Sequence, residues 1–345
     1  MNIRLRTIVP VLSLALLLIP MGKAGGRADN ESGRPKDRTF QFSYKAEIAQ
    51  IPEGTRELRI WLPYPTTDRH QEIYDVQVTA PGKATVYTEP QYENTLLYLP
   101  VPNPGAGPLT VEVNFKVRRS EYLRRDYASF KPVSVHAFDP SMQKYLGADR
   151  LVPLNDRIKK IAEEVTRGKK TDLDKARAIY DYTLANMKYD KSGEGWGRGD
   201  ILFACDAKRG NCTDFHALFM GLCRISGIPA RFSIGFPLPD KRGEGQIAGY
   251  HCWAEFYVTG YGWVPVDASE ASKHPEKKDY FFGGHDENRV QLSMGRDIVL
   301  RPRQSGEPLN YFIYPYAEAD GKTVKSIKTD FRFKDLEGEE ATKAF

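Results

Sequence analysis

The sequence predicts an α+β fold in which a β-sandwich is followed by helices packed on an antiparallel sheet. Three observations support this prediction. Six short runs of alternating apolar and polar residues lie within residues 38–119, and helical periodicity begins near Pro153. Within residues 210–267, one amphipathic helix is followed by two runs with the alternation of strands. Strands spaced about ten residues apart are typical of a sandwich, and helices preceding paired strands are typical of an α+β domain.

The composition is that of an ordinary globular protein, with 41% hydrophobic and 28% charged residues. A chain of 345 residues is long enough for two domains, each with its own core. The formal net charge is +5, and the first 24 residues carry three basic residues and no acid, which leaves 5 − 3 = +2 for the rest. This excess is too small to predict nucleic acid as a partner.

The first 24 residues have the pattern of a cleavable secretory signal. A short basic segment (MNIRLR) precedes an apolar run of 14 residues, and Gly22 and Ala24 are the small residues expected before a cleavage site. The run is shorter than the roughly 20 residues of a membrane-spanning helix, although an uncleaved anchor is the alternative. We therefore expect a periplasmic or secreted protein, with no membrane association after cleavage.

Changes of pattern along the chain predict its domain organisation. The predicted segments are a signal peptide (1–24), a disordered linker (25–37), the β-sandwich (38–119), a mixed connector (120–152) and the α+β domain (153–338). Later runs within 280–335 also alternate like strands, and we expect them to continue the sheet of the α+β domain.

Two helices are expected at the start of the α+β domain. Asn155 or Asp156 can cap the first, and Thr171 with Asp174 can cap the second. Residues 190–200 then form a loop with four glycines around Trp196. This loop lacks the Lys-Ser/Thr ending of a phosphate-binding loop, so we expect a flexible flap beside a cleft and no bound nucleotide.

Cys212 is the predicted nucleophile. Asn211 is a suitable N-cap and Asp214 a suitable capping-box acid, so Cys212 lies in the first turn of a helix that ends at 227–229. Unpaired N–H groups and the helix dipole stabilise negative charge there, which lowers the pKa of a thiol. The alternative is that Cys212 is a small core residue.

His251 and Asp267 are the predicted partners of this thiol. Strand alternation over 251–258 places His251 on the face opposite to the apolar side chains. If residues 259–261 form a three-residue turn, Asp267 lies opposite Trp253 and diagonal to His251 on the same face. A carboxylate there can orient the imidazole, whereas a four-residue turn would reverse the parity.

Other histidine and cysteine residues are candidates for the same roles. His216 lies one helical turn after Cys212 and is a rival base, although it points alongside the thiol. Cys223 and Cys252 are expected to be core residues. If Cys212 stays a free thiol, these two and Cys205 are an odd set, so at least one is unpaired and their disulfide state is open.

No metal or cofactor is predicted. The chain contains neither HExxH nor CxxC, and no loop carries acidic residues at the spacing of calcium ligands. The sequence does not determine whether activity depends on calcium.

Four short motifs carry a resemblance to a known family. They are GNCTDF at 210–215, GIPAR at 227–231, HCWAE at 251–255 and GWVPVD at 262–267. Together they resemble the transglutaminase-like core family of the papain-like cysteine protease superfamily, closely over about 60 residues. The resemblance implies a Cys-bearing helix packed on a sheet, with Cys212 as nucleophile, His251 as general base and acid, and Asp267 as orienting carboxylate.

The same resemblance bears on three further positions. Trp196 is similar to a tryptophan that helps stabilise the tetrahedral intermediate in eukaryotic members, and Trp253 is a second candidate for the oxyanion site or the cleft. The backbone N–H of Cys212 is the preferred oxyanion donor. Members often have His-Ala-Trp where this chain has Cys252, a departure expected to lie on the core face and clear of the triad. The β-sandwich resembles the N-terminal domain of many bacterial members.

The predicted function is that of an exported thiol acyl-transfer enzyme. The first hypothesis is a cysteine hydrolase of peptide or isopeptide amide bonds that works through a thioester, with protein or peptide substrates that include those of the cell envelope. The second is a protein-glutamine transglutaminase that uses the same site. The third is a catalytically inactive binding or adhesion protein. The acyl donor, the acceptor and the oligomeric state are not determined by the sequence.

Overall fold

The computed structural model describes residues 35–124, 126 and 140–338. The predicted signal peptide, most of the predicted linker, part of the connector and the last seven residues lie outside this range. Within the described residues, no helix has the length and apolar character needed to cross a bilayer.

All six strands predicted in the N-terminal half are present, together with one short additional strand. They are β1 (Asp37–Ile48), β2 (Glu57–Pro63), β3 (Gln71–Thr79), β4 (Thr85–Thr88), β5 (Thr95–Pro102), β6 (Leu109–Ser120) and β7 (Tyr122–Leu123). Every second side chain of β1 and β6 is buried, as strand alternation requires for a sheet with one covered face.

The rest of the chain alternates helices with short strands. After a 3₁₀ helix at Pro140–Tyr145, the helices are α1 (Asp156–Val165), α2 (Asp172–Asn186), α3 (Ile201–Ala207), α4 (Cys212–Ile225) and α5 (Ala268–Lys273), and a second 3₁₀ turn spans Pro275–Lys277. The strands are β8 (Lys188–Tyr189), β9 (Arg209–Gly210), β10 (Ala230–Pro237), β11 (Glu244–Gln246), β12 (His251–Val258), β13 (Gly262–Val266), β14 (Gly284–His285), β15 (Arg289–Met294), β16 (Tyr316–Ala319), β17 (Lys322–Thr323) and β18 (Ile327–Asp335).

Capping residues define the helix starts that the sequence predicts. Asn155 accepts a hydrogen bond from the N–H of Ile158 and begins α1, and Thr171 accepts one from the N–H of Asp174 and begins α2. Helix α3 was not predicted. Its N-cap is Asp200, the last residue of the glycine-rich loop. The Asp200 carboxylate accepts hydrogen bonds from the N–H groups of Leu202 and Phe203.

A four-stranded antiparallel sheet with the order β13-β12-β10-β15 carries the second half of the fold. Helix α4 packs against β12 and β10 of this sheet. The prediction that the late strands continue this sheet is correct for β15, which pairs with β10.

The same prediction is wrong for β16 and β18, which return to the sandwich. β16 pairs with β2, and β18 pairs with β1 along nine residues. Without β18, the long strand β1 would have a free edge of unpaired backbone groups. β18 covers that edge and also places Phe331 and Phe333 in the core.

The completed sandwich has two five-stranded sheets, β11-β18-β1-β6-β3 and β17-β16-β2-β5-β4. The sandwich is therefore built from strands at both ends of the described chain, together with β11. The described residues from Pro35 onward form one compact unit. Gln71 of the sandwich exchanges two hydrogen bonds with the backbone of Gln291 in β15, at 2.9 and 2.8 Å. This contact fixes the edge of the four-stranded sheet against the sandwich.

Candidate active site

Cys212 is the first residue of α4, as the sequence predicts. The side chain of Asn211 accepts from the N–H of Thr213 at 3.0 Å, and the carboxylate of Asp214 accepts from the N–H of Asn211 at 3.0 Å, so the predicted capping box is present. No hydrogen bond occupies the backbone N–H of Cys212 within the described residues. The side chain is 2% exposed and lies at the positive end of the helix dipole.

The glycine-rich loop is held against this helix start. The N–H groups of Gly197 and Gly199 donate to the Asp214 carboxylate at 2.7 and 3.0 Å. Asp214 therefore serves both the capping box and the loop, so the second half of the predicted flap is anchored beside Cys212.

The hairpin that carries His251 and Asp267 has the predicted parity. Val258 pairs with Gly262 across a three-residue turn, and Ala254 pairs with Val266, which places Asp267 opposite Trp253 one step beyond the strand end. Nε2 of His251 lies 2.7 Å from Oδ2 of Asp267. Because Nε2 faces the carboxylate, Nδ1 is the ring nitrogen left for the thiol, and the imidazole is one of the groups that lower the pKa of Cys212.

Electrostatics favours a charged pair at the thiol. Burial raises the pKa of Cys212, but hydrogen bonds from Cys252 and His251 and the charge of His251 outweigh burial and hold the pKa well below its ordinary value. Burial lowers the pKa of His251, yet the adjacent Asp267 carboxylate raises it overall to about 10. At neutral pH the favoured form is thus a thiolate beside an imidazolium.

Asp267 is fully buried, and both of its oxygens are hydrogen-bonded. Oδ1 accepts from the hydroxyl of Ser269 and the N–H of Glu270, both at 3.0 Å. Oδ2 receives His251 and, at 3.0 Å, Nη1 of Arg289. Burial raises the pKa of Asp267, but His251 and Arg289 hold it well below its ordinary value, so the carboxylate stays ionised.

Arg289 is the member of this cluster that sequence analysis missed. It lies 22 positions after Asp267, at the start of a strand that is two strands away from β12 in the sheet. An arginine that opens an ordinary strand carries no local signal. Only the buried carboxylate, which requires a second positive partner, could have prompted a search for it.

His216 does not act as the rival base in this arrangement. The N–H of Ala268 donates to Nε2 of His216 at 3.2 Å, so the proton of the neutral ring is on Nδ1. Nδ1 lies 3.7 Å from Sγ of Cys252. Burial lowers the pKa of His216, which keeps the ring neutral and makes it a donor to Cys252.

The expectation that Cys252 lies clear of the triad is wrong. Cys252 is on the face of β12 that packs against α4, as alternation predicts, but in this packing it is one of the groups that lower the pKa of Cys212. Burial raises the pKa of Cys252, so the thiol stays protonated and donates to the Cys212 thiolate. Strand parity placed the residue on the correct face but did not reveal which helical residue it would meet.

Replacing Cys252 with alanine is expected to move the alkylation profile of Cys212 to a pH about 1–2 higher. A hydrogen bond to a charged group contributes about 1.5–3 kcal/mol, and 1.36 kcal/mol corresponds to one pH unit. The rate of reaction with iodoacetamide against pH measures this, and Cys252→Ser, which keeps a donor, is the matched control. Superimposable profiles for wild type and Cys252→Ala would contradict the assignment.

The other two cysteines are also free thiols, and no disulfide joins the four. Cys223 is fully buried in α4, and burial raises its pKa, as expected for a core residue. Cys205 in α3 is partly exposed. Among the described residues, no group of three His, Cys, Asp or Glu side chains is arranged to hold a metal ion.

Each of the two tryptophans has a partner in the structure. The indole N–H of Trp196 donates to the carbonyl of Gly193 in its own loop at 3.0 Å. Trp253 is 1% exposed and lies beneath the guanidinium of Arg289, 4.8 Å from the ring centre, so it supports the cluster and does not face the cleft. The free N–H of Cys212 remains the donor best placed for an oxyanion.

A polar cleft of about 390 Å³ opens onto His251. Its walls combine aromatic, apolar and charged side chains, among them Tyr189, Lys191, Leu238, Tyr250, Glu270 and Lys273. Lys191 belongs to the glycine-rich loop, which therefore borders the cleft as predicted. A cleft of this size can admit a peptide-sized chain to the imidazole.

Comparison with known proteins gives one matching family model and two relatives. Residues 159–268 match the family model of the transglutaminase-like superfamily. An uncharacterized protein of Haemophilus influenzae is 28% identical over 324 residues, which cover 84% of this chain and 88% of that protein. The uncharacterized protein YebA of Bacillus subtilis is 26% identical over 187 residues, or 49% of this chain and 24% of its own length.

A solved structure has the same overall architecture. The crystal structure of a candidate cysteine protease from Cytophaga hutchinsonii superposes with a TM-score of 0.60 at 15% identity, covering 88% of this chain and 93% of that one. The predicted fold class, a helix and antiparallel-sheet core preceded by a sheet-rich region, is therefore confirmed.

Proposed function

We propose, from the premise that residues 159–268 form a domain of the transglutaminase-like superfamily, that this chain is a cysteine acyl-transfer enzyme that hydrolyses peptide or isopeptide amide bonds. One observation carries the proposal: Nε2 of His251 lies 2.7 Å from the Asp267 carboxylate, and this imidazole lowers the pKa of the buried Cys212 thiol at the start of a helix. This order of groups is that of a thiol nucleophile, a base and an orienting acid.

The reaction begins with attack of the Cys212 thiolate on the amide carbonyl carbon. The carbonyl oxygen becomes an oxyanion, which the free N–H of Cys212 is placed to stabilise. As the C–N bond breaks, Nδ1 of the His251 imidazolium gives its proton to the departing amine, and a thioester remains on Cys212. His251, now neutral, takes a proton from a water that attacks the thioester, which releases the acid and restores the pair.

An amine that reaches the thioester before water would instead be acylated, so hydrolysis and transfer share one acyl-enzyme. The open, polar cleft beside His251 admits water, which favours hydrolysis as the proposed outcome.

The proposal is tested by following both fates of the acyl group. The protein is incubated with a fluorescent primary amine and a glutamine-rich protein, and separately with peptide pools, using wild type, Cys212→Ala and Cys223→Ala. We expect new peptide fragments with wild type and with Cys223→Ala, which alters a buried thiol of the same helix, and none with Cys212→Ala. Amine incorporation without fragments would instead indicate a transglutaminase. Equal results for all three proteins would reject an enzyme at this site.

We also propose that the chain is exported, on the evidence of its first 24 residues. N-terminal sequencing of the protein recovered from cells that express the whole chain should give a start at Gly25. A start at Met1 would reject cleavage.

A further inference from the structure

We propose that Arg289 is a positioning residue of the catalytic centre: it keeps Asp267 a charge-balanced anion while His251 alternates between its charged and neutral forms. This inference rests on the proposed function, because the alternation is a step of acyl transfer. It goes beyond the triad, since it assigns the orienting carboxylate a permanent counterion from a distant strand.

The guanidinium of Arg289 is held on both sides. Nη1 donates to Oδ2 of Asp267 at 3.0 Å, Nη2 donates to Oδ2 of Asp286 at 2.9 Å, and Nε donates to Oδ1 of Asp286 at 3.4 Å. The side chain is 2% exposed, and its charged end lies over the ring of Trp253. Two carboxylates and an aromatic face therefore fix its position, which a mobile surface arginine would not have.

The backbone is shaped to bring Arg289 to the site. β15 shifts its register against β10 at Gly235, the residue that pairs with His251 on the other side. A Cβ at Gly235 would lie 1.7 Å from the carbonyl oxygen of Val290, so only glycine allows β15 to approach this closely. The long arginine side chain then crosses the end of the sheet to reach Asp267.

The charge balance of Asp267 explains why a second cation is needed. In the resting pair, Oδ2 of this fully buried carboxylate contacts two cations, the imidazolium and the guanidinium. When His251 passes its proton to the leaving amine, only Arg289 remains as a counterion. A buried carboxylate without a counterion is strongly unfavourable, so without Arg289 the carboxylate would hold the proton on His251 and weaken it as an acid.

Other charged and titratable groups also face this cluster. They are His216 and Cys212 of α4, Glu270 of α5, Tyr180 of α2, His285 of β14 and Arg119 of β6. They are unchanged in every Arg289 and Asp286 variant below, so a difference between those variants reports on Arg289 and its partners.

The test measures the iodoacetamide rate of Cys212 against pH. It is run in a Cys205→Ala background, with Cys212→Ser as the blank. Removing the positive charge in Arg289→Gln should move both steps of the profile, thiol ionisation and imidazolium deprotonation, to a pH at least about 1 higher. A nearby cation stabilises the thiolate and destabilises the imidazolium, and a charge within about 4–6 Å shifts a pKa by about 1–3. Arg289→Lys, which keeps the charge, should move them less.

Two further variants separate this role from a purely structural one. Asp286→Asn removes a negative charge beside Arg289 and should move both steps the opposite way, to lower pH. Arg231→Gln disrupts another arginine–carboxylate pair, between the half-buried Arg231 and the buried Glu255, and should leave the profile unchanged. If Arg289→Gln does not fold, the opposite shifts of Arg289→Lys and Asp286→Asn carry the test. If the folded Arg289 variants and Asp286→Asn have the same profile of iodoacetamide rate against pH as wild type, the inference is overturned.

Alkylation needs no substrate, so the two proposals fail separately. If the alkylation profiles shift as expected but the protein cleaves no amide, Arg289 still sets the charge of the Cys212–His251 pair, and the proposed function is rejected. Cys212-dependent cleavage with unshifted profiles would reject Arg289 alone.

Discussion

Replacing Cys212 with serine is expected to reduce acyl transfer by at least about 10³-fold, the scale of losing a nucleophile that acts with its base as a unit. The site is built for a thiolate–imidazolium pair, and His251, with its pKa raised to about 10, is already protonated at neutral pH. A protonated imidazole cannot take the proton of a serine hydroxyl, whose pKa lies far above that of a thiol. The oxygen nucleophile would therefore stay neutral and unreactive.

The measurement is the rate of product formation by Cys212→Ser against wild type, on the fragment or the incorporation assay that responds. Thermal unfolding should show that the serine variant keeps its fold, because the change replaces sulfur by oxygen and removes little volume from the site. A serine variant with more than about a tenth of wild-type activity would show that another residue supplies the nucleophile.

Replacing Asp267 with asparagine is expected to reduce activity by about 10⁴-fold, the loss seen when the orienting carboxylate of a triad is replaced by an amide. Without this charge the pKa of His251 falls back towards about 6.5, and the imidazolium that stabilises the thiolate is lost at neutral pH. An amide also offers one oxygen where the carboxylate offers two. Its NH₂ group would then face either Ser269 and Glu270 or His251 and Arg289, all of which donate.

The same variant should change how stability depends on pH. The pKa of His251 is raised by folding, so its contribution to the free energy of unfolding is complete below about 6.5 and is lost as pH rises through about 10. Wild type should therefore lose more stability than Asp267→Asn over this window. Urea denaturation at intervals from pH 6 to 10.5 measures the difference, and parallel curves for the two proteins would contradict the ion pair.

Much of the site could be predicted because its parts depend on near neighbours in the chain. The capping box of α4 involves residues three positions apart, and it places Cys212 at the helix start whatever the rest of the fold does. The parity of β12 and β13 depends on one three-residue turn, which settles that His251 and Asp267 share a face. Periodicity likewise predicted the sandwich strands, since burying one face of a sheet requires alternation.

The tertiary structure alone decided which segments that are distant in sequence come into contact. The return of β16 and β18 to the sandwich depends on which edges are left open after the first strands have paired, and alternation cannot indicate this. The effect of Cys252 on the pKa of Cys212 depends on how α4 packs on β12, and the contact of Arg289 with Asp267 depends on the register shift at Gly235. Local pattern therefore determined the three groups that we propose to react, whereas long-range packing determined the groups that set their charge.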